Sequence, residues 1–111
     1  MTHRLRDFAD ERDWAQFHNP KNLVMALSGE VGELNELFQW LDSDAAARIM
    51  DDPDRAAAVR DELADVFGYL LRLADTLSVD IEAALESKID KNAQKYPVDR
   101  ARGSAAKYTD L

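Results

Sequence analysis

The run Leu23-Val-Met-Ala-Leu-Ser-Gly-Glu-Val-Gly-Glu-Leu-Asn-Glu-Leu-Phe-Gln-Trp-Leu41 decides the architecture of this chain. On a helical wheel of about 100° per residue, Leu23, Leu27, Val31, Leu34, Phe38 and Leu41 fall within roughly 40° of one line, which is the apolar stripe of an amphipathic helix. Just before it stands Asn19-Pro20, an N-cap followed by the one helical position that tolerates proline. The helix is therefore expected from Pro20 to about Leu41. Apolar residues recur at the same steps of three and four through most of the sequence, strand-type alternation is absent, and glycine (four) and proline (three) are scarce. An all-α antiparallel bundle of about four helices per chain follows.

The first helix is expected over Thr2 to Phe17. The acid-rich stretch Asp42 to Asp54 reads as a loop, with Ala45 to Met50 able to form a short helical turn. A third helix is expected from Arg55 to about Leu77. A fourth, capped by Ser78 or Asp80, continues to about Tyr96 and is stopped by Pro97. Residues 1–97 read as one helical domain and 98–111 as a polar tail carrying Arg100, Arg102 and Lys107.

Composition bounds the function classes. A chain of 111 residues, 46% hydrophobic and 32% charged, makes a single core-forming domain. A domain this small buries only about two-thirds of its unfolded surface, so self-association would add useful burial and an oligomer is expected. The formal charge of −8 argues against binding a nucleic-acid polymer. Without cysteine there is no disulfide framework, thiolate nucleophile or Cys-ligated zinc. Met1 to Glu11 reaches acids before any apolar run and does not read as a secretory signal. The longest apolar run, Leu23 to Leu27, falls far short of the roughly 20 residues that span a bilayer. A soluble, cytoplasmic protein is the expectation.

The acids then set the chemistry. On the second helix Glu30 lies about 60° and Glu33 about 120° to one side of the stripe, whereas Glu36 points away. The third helix repeats the device: Val59, Leu63, Val66, Phe67, Leu70, Leu73, Ala74 and Leu77 form the stripe, and Glu62 and Asp65 flank it at roughly 100° and 160°. If the two stripes pack, four carboxylates converge at one edge of the seam, tolerable only with a neutralising cation. Spacing alone also fits acids that border a core and face water, and both readings stand at this point. What favours the cation is duplication, each pair having an aromatic nearby, Trp40 or Tyr69. An all-oxygen site selects Mg²⁺, Mn²⁺ or Ca²⁺. A di-iron bundle would want Glu-x-x-His, which neither His3 nor His18 provides.

On the fourth helix, with stripe Ile81, Leu85, Ile89 and Tyr96, the polar pair Lys88 and Asn92 falls within about 60° of the apolar line. Lys88 either snorkels over the core edge or donates to a phosphate near the acids. Trp14, Phe17 and His18 cluster where the first helix ends, either for packing or as a stacking face for a nucleobase.

Taken together, Arg12 to Trp40 with its Gly-Glu-Val-Gly-Glu-Leu and Phe-Gln-Trp, then Glu62-Leu-Ala-Asp-Val-Phe-Gly-Tyr69, Lys88-Ile-Asp-Lys-Asn92, Lys95-Tyr-Pro97 and Lys107-Tyr-Thr-Asp-Leu111, resemble the MazG-like all-α nucleotide pyrophosphohydrolases. Within these the chain is most similar to the dCTP pyrophosphatase branch. The resemblance implies that Glu30, Glu33, Glu62 and Asp65 ligate Mg²⁺, with Mn²⁺ as a substitute, and that no catalytic residue stands apart from these ligands. It implies a nucleotide pocket lined by Trp14 to His18, Trp40 and Tyr69, with Lys88 and Asn92 reaching the triphosphate or sugar. It further implies cleavage between the α- and β-phosphates, and a homodimer or homotetramer with pockets shared between subunits. Leu5 is apolar where this branch often carries a polar, ligand-facing residue. The expected substrate is dCTP or a base-modified dCTP in nucleotide-pool house-cleaning. The rivals are another base, such as dUTP or a deaminated purine, and a non-catalytic dimerisation or ligand-sensing module.

Overall fold

A computed structural model describes the whole chain, Met1–Leu111, and is built of helices and turns without a strand. The four expected helices are α1 (Thr2–Glu11), α2 (Pro20–Phe38), α4 (Pro53–Thr76) and α5 (Ile81–Lys95). Two short ones join them, α3 (Ser43–Ala47) and α6 (Val98–Ala101), together with 3₁₀ turns at Ala15–Phe17, Ile49–Asp51 and Tyr108–Asp110.

α1 stops six residues before the expected Phe17. Asp13 adopts φ 55°, the Asp13 amide donates to the Asp10 carbonyl at 3.1 Å, and the Trp14 amide donates to the Ala9 carbonyl at 2.9 Å. This is the bonding of a Schellman-type helix end, which ordinarily uses glycine for its left-handed residue. With aspartate there, the sequence carried no signal of it. The other boundaries follow side-chain caps. Asn19 accepts from the Asn22 amide at 2.9 Å, with Pro20 at the first helical position. Asp42 accepts from the Ala45 amide at 2.8 Å and starts α3 inside the expected loop. Asp52 accepts from the Asp54 and Arg55 amides, so Pro53 opens α4 rather than belonging to the loop. Asp80 is the cap of α5, accepting from the Ala83 amide at 3.0 Å.

The chain divides into two compact units, Met1–Ser78 and Val79–Leu111. In the first, α2, α1 and the Ile49–Asp51 turn are the elements packed most extensively on α4. α2 and α4 run antiparallel: His18, at the entry to α2, meets Arg72 late in α4, while Glu30 further along α2 comes near Glu62 and Asp65 earlier in α4. Seven apolar residues are buried, Ala9, Leu23, Ile49, Ala56, Val59, Leu71 and Ala74, of which Leu23 is the one large side chain fully enclosed.

The stripe of α4 departs from expectation midway. It is buried toward its ends, at Ala56 and Val59 and again at Leu71 and Ala74, but Leu63 and Phe67 are 52% and 54% exposed, and Leu77 is also exposed. Val31 on α2 is exposed as well. In the second unit, the expected stripe residues Leu85 and Ile89 of α5 are exposed. There Tyr96 meets Tyr108 edge-on at 6.1 Å, and the Lys95 ammonium lies 4.8 Å from the Tyr108 ring centroid. No helix is long and apolar enough to cross a membrane.

Candidate active site

Antiparallel packing of α2 on α4 brings the acids together. One carboxylate oxygen each from Glu30, Glu62 and Asp65 lies within 4.8 Å of the others. Glu30 and Glu62 are half-buried, and the Oε2 atom of each is shut off from solvent with no hydrogen-bond partner. Buried carboxylate oxygens are ordinarily paired, so two orphans in one cluster are groups that a cation would satisfy. Glu33, the fourth expected ligand, is exposed and lies outside the convergent trio, yet its charge is felt by both buried acids.

Burial, helped by the carboxyls of Glu33, Glu62 and Asp65, pushes Glu30 up to about 7. Burial also raises Glu62, with Glu33 and Asp65 adding and its contact with Glu30 working the other way. The native chain thus holds a proton on Glu30 where the unfolded chain has released it. That contribution to stability is fully present below the unfolded value, near 4.5, and is lost as pH rises through about 7. In EDTA, the Glu30 contribution should lower Tm between about pH 5 and pH 8. Glu30→Gln should flatten this dependence, and added Mg²⁺ should restore Tm at the upper end. A metal-free Tm profile identical in wild type and Glu30→Gln would contradict this.

Beside the acids is a cavity of about 250 Å³, bounded by α1, α4, the segment between α1 and α2, and Glu30 of α2. Trp14, His18 and Tyr69 line it, as the sequence suggested, and so do Glu30 and Asp65. The left-handed turn at Asp13 sets Trp14 against both Phe8, at 5.7 Å, and His18, at 6.3 Å, each edge-on. Burial, with the Arg72 charge second, lowers the His18 pKa and so favours the neutral ring.

The remaining predicted residues are not among those lining the cavity. Trp40 follows α2, is 88% exposed and does not line the cavity. Lys88 and Asn92 are exposed on α5, in the second unit. Sequence reasoning missed Phe8 and Arg72, which line the cavity, and the acid Asp75 that holds Arg72. Phe8 is one apolar residue among the charges of α1, and nothing in its spacing marks it as facing a cavity. An Arg and an Asp three apart look like an ordinary solvated helix pair, so nothing in the pattern signalled their burial.

A family model for MazG-like proteins matches residues 25–111, the greater part of the chain. The chain belongs to the MazG-like family. This MazG-like chain is 53% identical over 105 residues to dCTP pyrophosphatase 1 of Rattus norvegicus, and 50% identical over 105 residues to dCTP pyrophosphatase 1 of Homo sapiens. Each alignment covers 95% of this chain and 62% of the relative, so the chain spans less than two thirds of those proteins' length. Among solved structures, a pyrophosphatase from Archaeoglobus fulgidus shares the fold with a TM-score of 0.80 and 42% identity, covering 86% of this chain and 87% of that one. The all-α MazG-like architecture expected from the sequence is thus the one found.

Proposed function

We propose that the chain is a nucleoside triphosphate pyrophosphohydrolase that cleaves between the α- and β-phosphates, with dCTP or a base-modified dCTP as its favoured substrate, yielding dCMP and pyrophosphate. The observation that carries this reading is the convergence of three carboxylate oxygens, two of them on acids with an orphaned buried oxygen, beside a cavity walled by Trp14, His18 and Tyr69. The names borne by the relatives support the choice of reaction and base. We infer a cytoplasmic house-cleaning role.

In this reading Glu30, Glu62 and Asp65, with Glu33 at the rim, hold Mg²⁺, for which Mn²⁺ can substitute. The all-oxygen donor set suits these hard cations. When bound, the metal supplies charge neutralisation at the phosphates and a more acidic water. Trp14 and Tyr69 give the base apolar faces, and the acids at the cavity's edge fix which end of the nucleotide carries the phosphates. No side chain need form a covalent intermediate. Trp40, Lys88 and Asn92 complete the site in a homodimer or homotetramer, where a second copy covers the exposed Leu63, Phe67, Leu85 and Ile89. For a domain with so few buried residues, that area is a large gain.

The deciding experiment incubates the purified chain with each common and base-modified dNTP, with Mg²⁺ and separately with EDTA, and separates the products by ion-exchange chromatography. We expect monophosphate and pyrophosphate in the presence of Mg²⁺ alone, fastest from a cytosine nucleotide. Release of orthophosphate would contradict the cleavage position, preference for another nucleobase would correct the substrate, and intact triphosphates throughout would leave the non-catalytic module.

A further inference from the structure

The cavity has a second charged wall that the proposed chemistry does not use. Arg72, on α4, is nine-tenths buried and lines the cavity. Its Nη1 donates to Asp75 Oδ2 at 3.2 Å, and its Nε donates to His18 Nδ1 at 3.4 Å. Asp75 is in turn gripped by Arg6 of α1, whose Nε and Nη2 donate to its two oxygens at 2.9 and 2.6 Å. The two-point clamp from Arg6, on a second helix, fixes Asp75, and Asp75 in turn accepts one bond from the buried Arg72 guanidinium.

The consequence falls on His18. A guanidinium can only donate, so the ring nitrogen it meets must present a lone pair. With Nδ1 an acceptor, the neutral imidazole carries its proton on Nε2, the ring's other polar atom, on a side chain that lines the cavity. We propose that Arg72 is a positioning residue that holds His18 in its Nε2–H form, and that this N–H reads a hydrogen-bond acceptor on the nucleobase edge. Asp75 and Arg6 serve the same end by holding Arg72. The inference rests on the reading of this cavity as a nucleotide site. It assigns part of base selection to α4 and to the segment between α1 and α2, apart from the acids.

The test has two arms. In ¹⁵N spectra of the imidazoles of the full chain, assigned against His18→Gln to separate His3, wild-type His18 should show a lone-pair Nδ1 and a protonated Nε2. Arg72→Met, which leaves the Arg6–Asp75 clamp in place, should produce a mixture of tautomers. In steady-state assays with Mg²⁺ and dCTP, Arg72→Met should raise KM about tenfold, the loss of one hydrogen bond, with kcat within about twofold. His18→Gln should do the same, and the double variant should be no worse than either single one. A proton on Nδ1 in the wild type overturns the proposal even if Arg72→Met does not fold. So does a folded Arg72→Met with unchanged tautomer and KM, or fully additive losses. A wild type that turns over no nucleotide would instead overturn the hydrolase reading, and the spectrum would still decide the Arg72 contact.

Discussion

Glu62→Gln should abolish most Mg²⁺-dependent turnover, about a thousandfold in kcat, while making the metal-free protein more stable. The two effects share one cause. Glu62 brings an unpartnered buried oxygen into a cluster with Glu30 and Asp65, an arrangement that is costly without a cation and useful with one. A glutamine keeps the shape and removes the charge, so it relieves the repulsion and no longer holds the metal. Turnover assays paired with thermal melts in EDTA and in Mg²⁺ would show both. A variant that loses activity and also loses stability in EDTA would mark Glu62 as a structural acid, and one that retains full activity would remove it from the site.

Asp75→Ala should cost about 3 kcal/mol of folding stability, a large fraction of what a domain of this size has. The loss comes less from the ion pairs removed than from what remains: the Arg72 guanidinium, with its side chain 10% exposed, would stay buried without its carboxylate. The outer pair with Arg6, itself 43% exposed, is screened by water and contributes little of this. Urea denaturation measures the effect. Arg72→Met combined with Asp75→Ala should recover much of the loss, because the stranded charge is gone. A single-variant loss below about 1 kcal/mol would show the cluster to be solvated and would weaken the case for Arg72 as a fixed donor.

Glu30, Glu33, Glu62 and Asp65 could be placed to one side of their stripes because helical periodicity is a strong signal, and antiparallel packing brings three of the four together, leaving Glu33 exposed. Tyr69 was legible as an aromatic near Asp65, and Trp14 and His18 as a cluster at the end of the first helix; that they face the acids depends on how α1 packs on α4. The end of α1 was not, since Asp13 occupies a left-handed position that the sequence would announce only with glycine or asparagine. Phe67 and Leu63 were placed on the correct line of α4, but a wheel gives angle and says nothing of how far along the helix a neighbour extends. Arg72 was overlooked because burial of an arginine depends on a clamp from Arg6, 66 positions away in sequence.

The left-handed turn at Asp13 has an evolutionary reading. The acids stand on two long helices locked by mutual packing, whereas Trp14 and His18 stand on the short connection between α1 and α2, set by the turn at Asp13 and held by side-chain contacts with Phe8 and Arg72. A change of residue in that connection can reshape what the cavity accepts while the helical pair that carries the charges stays as it is. On the proposed reading of the cavity as a nucleotide site, such a division would let a change in the connection alter which nucleotide is accepted while the acids proposed to hold the metal stay in place.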